Sequence, residues 1–409
     1  MKPVEITKGI YYVGAQDPGL RVFDIVMDVE WGTSYNAYLV VGQKNVLVEN
    51  VKSGFTREFL ENVKSLIDLK FLDYIIVNHT EPDHNGSLIE LLEDAPQAVV
   101  CCTTAGARFL KKMVNRDFPV KVVTDGEELD LGDRSVRFIL APFLHWPDSM
   151  FSYFPKDKIL FTCDAFGCHY SNGEGLFDDQ VPEHDHLQAF EYYFKAIMSP
   201  FKPYVHQAVN KIRDLDVEMV CPGHGPILRK NPWKFINLYR EWSEPEEKGD
   251  PFVAIIYVSA YGNTKKMAHT IADGLREGGI QAELVDITEV GVTVAAHKAN
   301  EADGVLFGSP TFNRDVVKPV WDVIEWVLPF NNRNKPAGAF GSYGWSGEAV
   351  KLLEERLRGL TLKVPVSGVR ANFVPSEQEL QACHQFGRDF ADHAKDFARA
   401  VREREAVTV

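Results

Sequence analysis

At 409 residues the chain is long enough for two or three domains, each burying its own core. Apolar content of 45% and charged content of 25% are ordinary for a globular protein. The net charge of −14 argues against nucleic acid as the main partner. There is no apolar run of the roughly 18 residues that a membrane span needs. The N-terminus, MKPVEITKGIYYVG, reads as a strand entering a domain and not as a secretory signal. The six cysteines, Cys101, Cys102, Cys163, Cys168, Cys221 and Cys383, form no C-x-x-C pair. That spacing excludes zinc ribbons, rubredoxin-type iron sites and thioredoxin motifs. It predicts reduced, mostly buried thiols in a reducing compartment, the cytoplasm.

Short strands separated by turns are expected first: 37–41, 45–49, 74–78, 99–102 and 158–162, with helices over 56–69 and 87–92. Strands mixed with helices suggest a layered αβ domain. The stretch Ser243 to Pro251 (SEPEEKGDP) reads as a linker. After it, Phe252 to Val258 is a continuous apolar run, as expected of a parallel strand buried on both faces. A helix over 265–277, strands over 281–286 and 304–308, a helix near 317–327, a strand over 336–341 and a helix over 347–359 follow. This alternation predicts a doubly wound parallel sheet. The chain then runs to Val409 as a charged helix, with neither a rubredoxin cysteine pattern nor an appended reductase. An electron donor, if one is used, is therefore expected to be a separate molecule.

Eight of the twelve histidines precede the linker. The strongest signal is Asn78 to Gly86 (NHTEPDHNG), which follows an apolar strand. His79, Glu81, Asp83 and His84 there are more ligand-type side chains than one metal needs from one loop, so two metals are inferred. His145, Asp164 and His224 each follow an apolar strand in the same way. Imidazoles and carboxylates are usual ligands of divalent metals. The two oxygens of Asp164 could bridge a pair.

These motifs resemble the flavodiiron proteins, also called A-type flavoproteins. The metallo-β-lactamase fold carries H-x-H-x-D-H with later His, Asp and His, and here Glu81 stands in place of the second His. A carboxylate there makes the site harder and suits iron. The resemblance covers essentially the whole chain. It implies an α/β and α+β architecture: a metallo-β-lactamase-like αβ/βα sandwich over 1–248 and a flavodoxin-like FMN-binding sheet over 249–409. It implies one iron held by His79, Glu81 and His145, and a second by Asp83, His84 and His224, with Asp164 bridging. In some members the residue matching His84 is not a ligand, so its role stays open. His169 and Tyr193 are implied as proton or hydrogen-bond donors beside the irons; read from the residues alone, they are equally a surface His and a core Tyr.

Ser259, Tyr261, Gly262, Asn263 and Thr264 follow the first strand after the linker and open a helix. Hydroxyls, a flexible Gly and helix N-terminal N–H groups favour a phosphate. The segment resembles the flavodoxin phosphate loop, and it is neither a Walker A motif nor a G-x-G-x-x-G motif. Pro310, Thr311, Phe312 and Asn313, and Ser342, Tyr343, Gly344, Trp345 and Gly347, lie after two later strands. By resemblance these contact the isoalloxazine, and Trp345 covers its face. The implied activity is reduction of O2 to water, of NO to N2O, or both. Electrons would pass through FMN from rubredoxin, another soluble carrier or reduced F420, within a head-to-tail homodimer or a dimer of such dimers. Two alternatives are a di-zinc hydrolase fused to a flavodoxin domain and an electron-transfer flavoprotein whose metals are structural.

Overall fold

The strand Asn45–Val48 shows how the first half is built. Side chains alternate across a strand, and here both faces are apolar: Leu47 joins one core while Val46 and Val48 join another. The neighbouring strands Tyr38–Val40, Leu72–Ile76 and Val99–Cys102 repeat the pattern, with Leu39, Ile75 and Val100 on one side and Tyr38, Ile76 and Cys101 on the other. They lie in a seven-stranded sheet of order Val4–Thr7, Ile10–Tyr12, Tyr38–Val40, Asn45–Val48, Leu72–Ile76, Val99–Cys102, Val120–Val122. Pairing is antiparallel up to Asn45–Val48 and parallel beyond it.

A second, five-stranded sheet runs Glu128–Asp130, Ser135–Leu140, Met150–Phe154, Ile159–Cys163, Met219–Pro222. Its Phe138, Phe154 and Phe161 meet Tyr38, Val46 and Ile76 of the first sheet in a shared core. The outer faces are covered by helices, including Thr56–Leu66, Thr104–Val114, Lys202–Ile212 and Pro232–Ser243. The result is the expected αβ/βα sandwich.

The computed structural model describes residues 1–25, 27–244, 249–328 and 332–408. The chain divides into two units, Met1–Pro245 and Glu246–Val409. The expected linker begins at the last residue of the helix Pro232–Ser243. Residues 245–248, and with them the expected boundary after 248, lie outside the described residues.

The second unit has five parallel strands in the order Gln281–Asp286, Phe252–Tyr257, Gly304–Gly308, Ala337–Tyr343, Val369–Asn372. This 2-1-3-4-5 order is the flavodoxin-like doubly wound arrangement. Val253 and Ile255 pack under the helix Asn263–Glu277 on one face, and Ala254 and Ile256 pack on the other. Three expectations are corrected here. The helix after the first strand starts at Asn263, so Asn263 and Thr264 belong to its first turn. The fourth strand continues to Tyr343, because Ser342 and Tyr343 pair with Ala371 and Asn372 of an edge strand that was not anticipated. The helix expected to reach Leu69 ends at Leu66, and Asp68 caps a separate turn over Leu69–Phe71.

Candidate functional site

In the first unit the candidate ligands all leave the C-terminal ends of strands. His79 and Glu81 follow Leu72–Ile76, and the short helix Pro82–Asn85 brings in Asp83 and His84. His145 follows Ser135–Leu140, Asp164 follows Ile159–Cys163, and His224 follows Met219–Pro222. All seven converge.

Glu81 Oε2 lies 3.2 Å from His79 Nε2 and 3.1 Å from His145 Nε2. Asp164 Oδ2 completes this group at 3.3 Å from His79 Nε2 and 3.5 Å from His145 Nε2. On the other side, Asp83 Oδ2 lies 3.0 Å from His224 Nε2 and 3.5 Å from His84 Nε2. Asp164 Oδ1 faces this second group at 3.0 Å from His84 and 3.6 Å from His224. The two oxygens of one carboxylate thus address two ligand sets. Glu81 and His145 keep 18% and 17% side-chain exposure, while the other five are buried, so the centre opens on the Glu81–His145 side.

The donor chemistry fits a pair of cations. Buried carboxylates are costly unless paired, and Asp164 Oδ2 and Asp83 Oδ1 have no hydrogen-bond partner among the described residues. Burial opposes the charge on Asp164, yet His84, His145 and His79 together hold its carboxyl well below the usual range. His224 Nδ1 lies 2.6 Å from the Ser34 carbonyl oxygen, an acceptor that demands the Nδ1–H tautomer and leaves Nε2 free as a ligand.

His169 and Tyr193 are both buried, which removes the surface reading of His169. Tyr193 donates its hydroxyl to Asp164 Oδ1 at 3.0 Å, and burial followed by the Asp164 charge holds its pKa well above the ordinary value. The His169 ring stacks on Phe23 at 4.0 Å and lies 4.8 Å from the His224 ring, with Nδ1 2.9 Å from Thr33 Oγ1. Burial and the neighbouring His224 keep it well below the ordinary imidazole pKa, hence neutral. Sequence reasoning missed Ser34, Phe23 and Asp148. Asp148 is a fully buried carboxylate three residues after His145.

In the second unit the three expected loops meet at the C-terminal edge of the sheet. Gly262 takes φ +83°, a conformation suited to Gly, directly before the helix Asn263–Glu277, and as the cap residue it offers no side chain to the first-turn N–H groups. Ser259 Oγ accepts from Lys265 N–H at 3.1 Å. Thr264 Oγ1 and Ser342 Oγ are 3.0 Å apart, tying the first loop to the third. Thr311 and Phe312 pair with Val316 and Asp315 around a turn in which Asn313 and Arg314 both have positive φ. Trp345, Tyr261 and Phe312 are 100%, 87% and 48% exposed, an open aromatic rim. A fourth loop belongs to this rim: Asn372 Nδ2 donates to the Tyr343 and Gly344 carbonyls, and Phe373 lies against Gly344. It went unread because the strand that delivers it, Val369–Asn372, buries only one of its four residues and so shows no apolar run.

Two family models match: ODP family beta lactamase over residues 33–225 and flavodoxin over residues 255–387. A flavo-diiron protein of Clostridium acetobutylicum is 42% identical over 400 residues, covering 96% of this chain and 99% of the relative. A nitric oxide reductase of Moorella thermoacetica is 37% identical, covering 97% and 100%. Among solved structures, the rubredoxin oxygen:oxidoreductase of the anaerobe Desulfovibrio gigas superposes with a TM-score of 0.68 at 32% identity, covering 97% and 100%. The chain belongs to the flavodiiron protein family. It is thus an oxidoreductase of that family, with a metallo-β-lactamase-like domain and a flavodoxin-like domain. For a flavodiiron protein the two sites have the right chemistry: hard oxygen and imidazole donors for iron, and an aromatic rim above a helix N-terminus for FMN. Among the described residues no helix is long and apolar enough to cross a membrane.

Proposed function

We propose that this flavodiiron protein reduces O2 to water, NO to N2O, or both, at a diiron centre fed with electrons through FMN. The observation that carries the reading is Asp164, whose two oxygens face two separate ligand groups, one of which contains Glu81. In this reading His79, Glu81 and His145 hold one iron, Asp83, His84 and His224 hold the other, and Asp164 bridges them. His84 is counted as a ligand because its Nε2 points at both Asp164 and Asp83. Fully reduced FMN and a diferrous pair together supply four electrons, enough to take O2 to two waters, and two of the four suffice to take two NO to N2O and water.

The chain's own groups set the terms. Glu81 and His145, the partly exposed ligands, mark the side from which a diatomic molecule enters. Tyr193 keeps its hydroxyl proton and donates it as a hydrogen bond to Asp164 Oδ1, at a position where negative charge needs a donor. His169, neutral and buried beside His224, keeps its Nε2 without a partner among the described residues and so can donate or accept a proton there. Ser259, Tyr261, Gly262, Asn263 and Thr264 bind the FMN phosphate. Pro310, Thr311, Phe312, Asn313, Ser342, Tyr343, Gly344 and Gly347 seat the isoalloxazine, with Trp345 over its face.

In this reading the diiron domain is 1–248 and the FMN domain 249–409. Electron transfer weakens steeply with distance, so the reading includes a head-to-tail homodimer in which one chain's FMN serves its partner's irons. The donor is a soluble carrier such as rubredoxin, or reduced F420, in the cytoplasm. The test is anaerobic stopped-flow mixing of the fully reduced protein with O2 or NO, following flavin oxidation and gas consumption. Flavin oxidation should keep pace with gas consumption. A protein that carries two zincs, hydrolyses esters or lactams and leaves both gases untouched would overturn the reading.

A further inference from the structure

The loop that supplies His145 does more than supply a ligand. Trp146 stands edge-on to the His79 ring at 5.2 Å and 82°. Asp148 turns back beneath the same ring: its Oδ2 lies 3.5 Å from His79 Nδ1, and both side chains are completely buried. The contact is long, but Nδ1 has no hydrogen-bond partner among the described residues, and a buried N–H needs an acceptor. Asp148 Oδ2 is the carboxylate oxygen that faces it.

Asp148 is held from several directions. Its Oδ2 accepts from both the backbone N–H and the hydroxyl of Thr80, each at 2.8 Å, and its carbonyl accepts from Thr103 Oγ1 at 3.1 Å. The carboxylate is therefore fixed before any metal binds. The other groups around the centre are backed differently. His224 Nδ1 meets a neutral carbonyl, and His84 Nδ1 has no hydrogen-bond partner among the described residues. The ligands themselves give each group two imidazoles, one carboxylate and a share of Asp164, and Asp148 adds a carboxylate directly behind His79.

We propose that Asp148 is a positioning residue of the metal centre: it accepts the Nδ1–H of His79, fixes the tautomer that presents Nε2 to the metal, and makes the iron held by His79, Glu81 and His145 the more electron-rich of the two. This rests on the diiron reading above. A carboxylate behind a ligating imidazole raises its basicity, and loss of such a partner weakens metal binding by about 10- to 100-fold. The charge favours the ferric over the ferrous ion.

The test uses the full iron- and FMN-loaded chain. Asp148→Asn keeps the shape, and its amide oxygen can still accept from Thr80 while the charge is lost. Asp148→Ser, which cannot overfill the site, is a second neutral variant. Thr103→Val is the structural control, since it removes a hydrogen bond to the same loop without changing charge. Iron affinity is read by chelator competition, and the midpoint potential by EPR-monitored redox titration of the mixed-valent pair. D148N and D148S should bind iron about 10- to 100-fold more weakly. A tenfold loss confined to the ferric state is a midpoint raised by about 59 mV for one electron. T103V should lose thermal stability and keep both values. Wild-type affinity and potential in either neutral variant, or a shift of the same size in T103V, would overturn the proposal. A wild-type protein that yields no mixed-valent diiron signal would instead count against the diiron reading itself.

Discussion

Replacing Asp164 by Asn separates one shared centre from two independent ones. The side chain keeps its size and one oxygen, but an amide nitrogen does not ligate a cation. If Asn places its oxygen toward His84 and His224, as Oδ1 does at 3.0 and 3.6 Å, the His79–Glu81–His145 group loses its fourth donor. If it flips, the other group loses its own. Either way one negative charge leaves a pocket in which His84, His145 and His79 hold the native carboxyl well below its ordinary range. Removing one partner of a buried charge interaction costs about 3–5 kcal/mol. At about 1.4 kcal/mol per tenfold, the weakened ion should bind roughly two to three and a half orders of magnitude less tightly. Purified D164N should therefore carry about one iron per chain and no exchange-coupled pair, while FMN content, set by the other unit, stays at the wild-type level. The assay is iron and flavin quantification alongside EPR and Mössbauer spectra. Two tightly held, coupled irons in D164N would refute the bridging role.

Gly262→Val should cost about 1–3 kcal/mol of stability in the second unit, because φ +83° strains a β-branched residue although nothing lies within 4 Å of the added Cβ. FMN should be lost with it, as urea melts and flavin content will show. Trp345→Ala should change stability by less than about 0.5 kcal/mol, since the ring is wholly exposed. It should still weaken FMN binding roughly 2- to 12-fold if an aromatic contact of about 0.5–1.5 kcal/mol is lost; an unchanged fluorescence titration of the apoprotein would reject the covering role. His186, stacked on Phe235 at 5.0 Å, has its pKa pushed down to about 4 by burial and then by the Lys234 charge. Its neutral form is the folded one, so its contribution is full above about 6.5 and is lost as the pH falls through about 4. His186→Phe should remove up to roughly 3 kcal/mol of that acid-side slope, measured as chemical stability against pH.

The seven ligands were legible because each follows an apolar strand, and strand ends on one edge of a sandwich converge. The clustering of His79, Glu81, Asp83 and His84 within six residues needed no tertiary knowledge. What supports the ligands was not legible. Ser34 reaches His224 through its backbone carbonyl, which no side-chain pattern reveals. Phe23 looks like any core aromatic until it is found stacked on His169. The second unit's parallel strands were legible from their unbroken apolar runs. Its edge strand was not: Val369, Arg370, Ala371 and Asn372 include only one buried residue, so no periodicity could mark it. The Asn372–Phe373 side of the aromatic rim was lost with it.

Charge ties the ligands to their support. Glu81, Asp83 and Asp164 carry three negative charges among imidazoles that must be neutral to ligate. Two divalent ions bring four positive charges into a largely buried pocket, where an unbalanced charge is expensive. Asp148, fixed by Thr80 and facing His79, is the fourth negative charge, and it brings a diferrous centre to neutrality without occupying a coordination position. Glu49, buried next to Asn78, is a fifth carboxylate, and burial pushes its pKa up to about 7 against the opposing pull of His84 and the Asn78 N–H. That upward direction is the one expected of a buried carboxyl beyond the charge balance. A neutral resting centre explains why the supporting carboxylate is placed behind a histidine: there it compensates the second ion while leaving the Glu81–His145 side open to a small molecule.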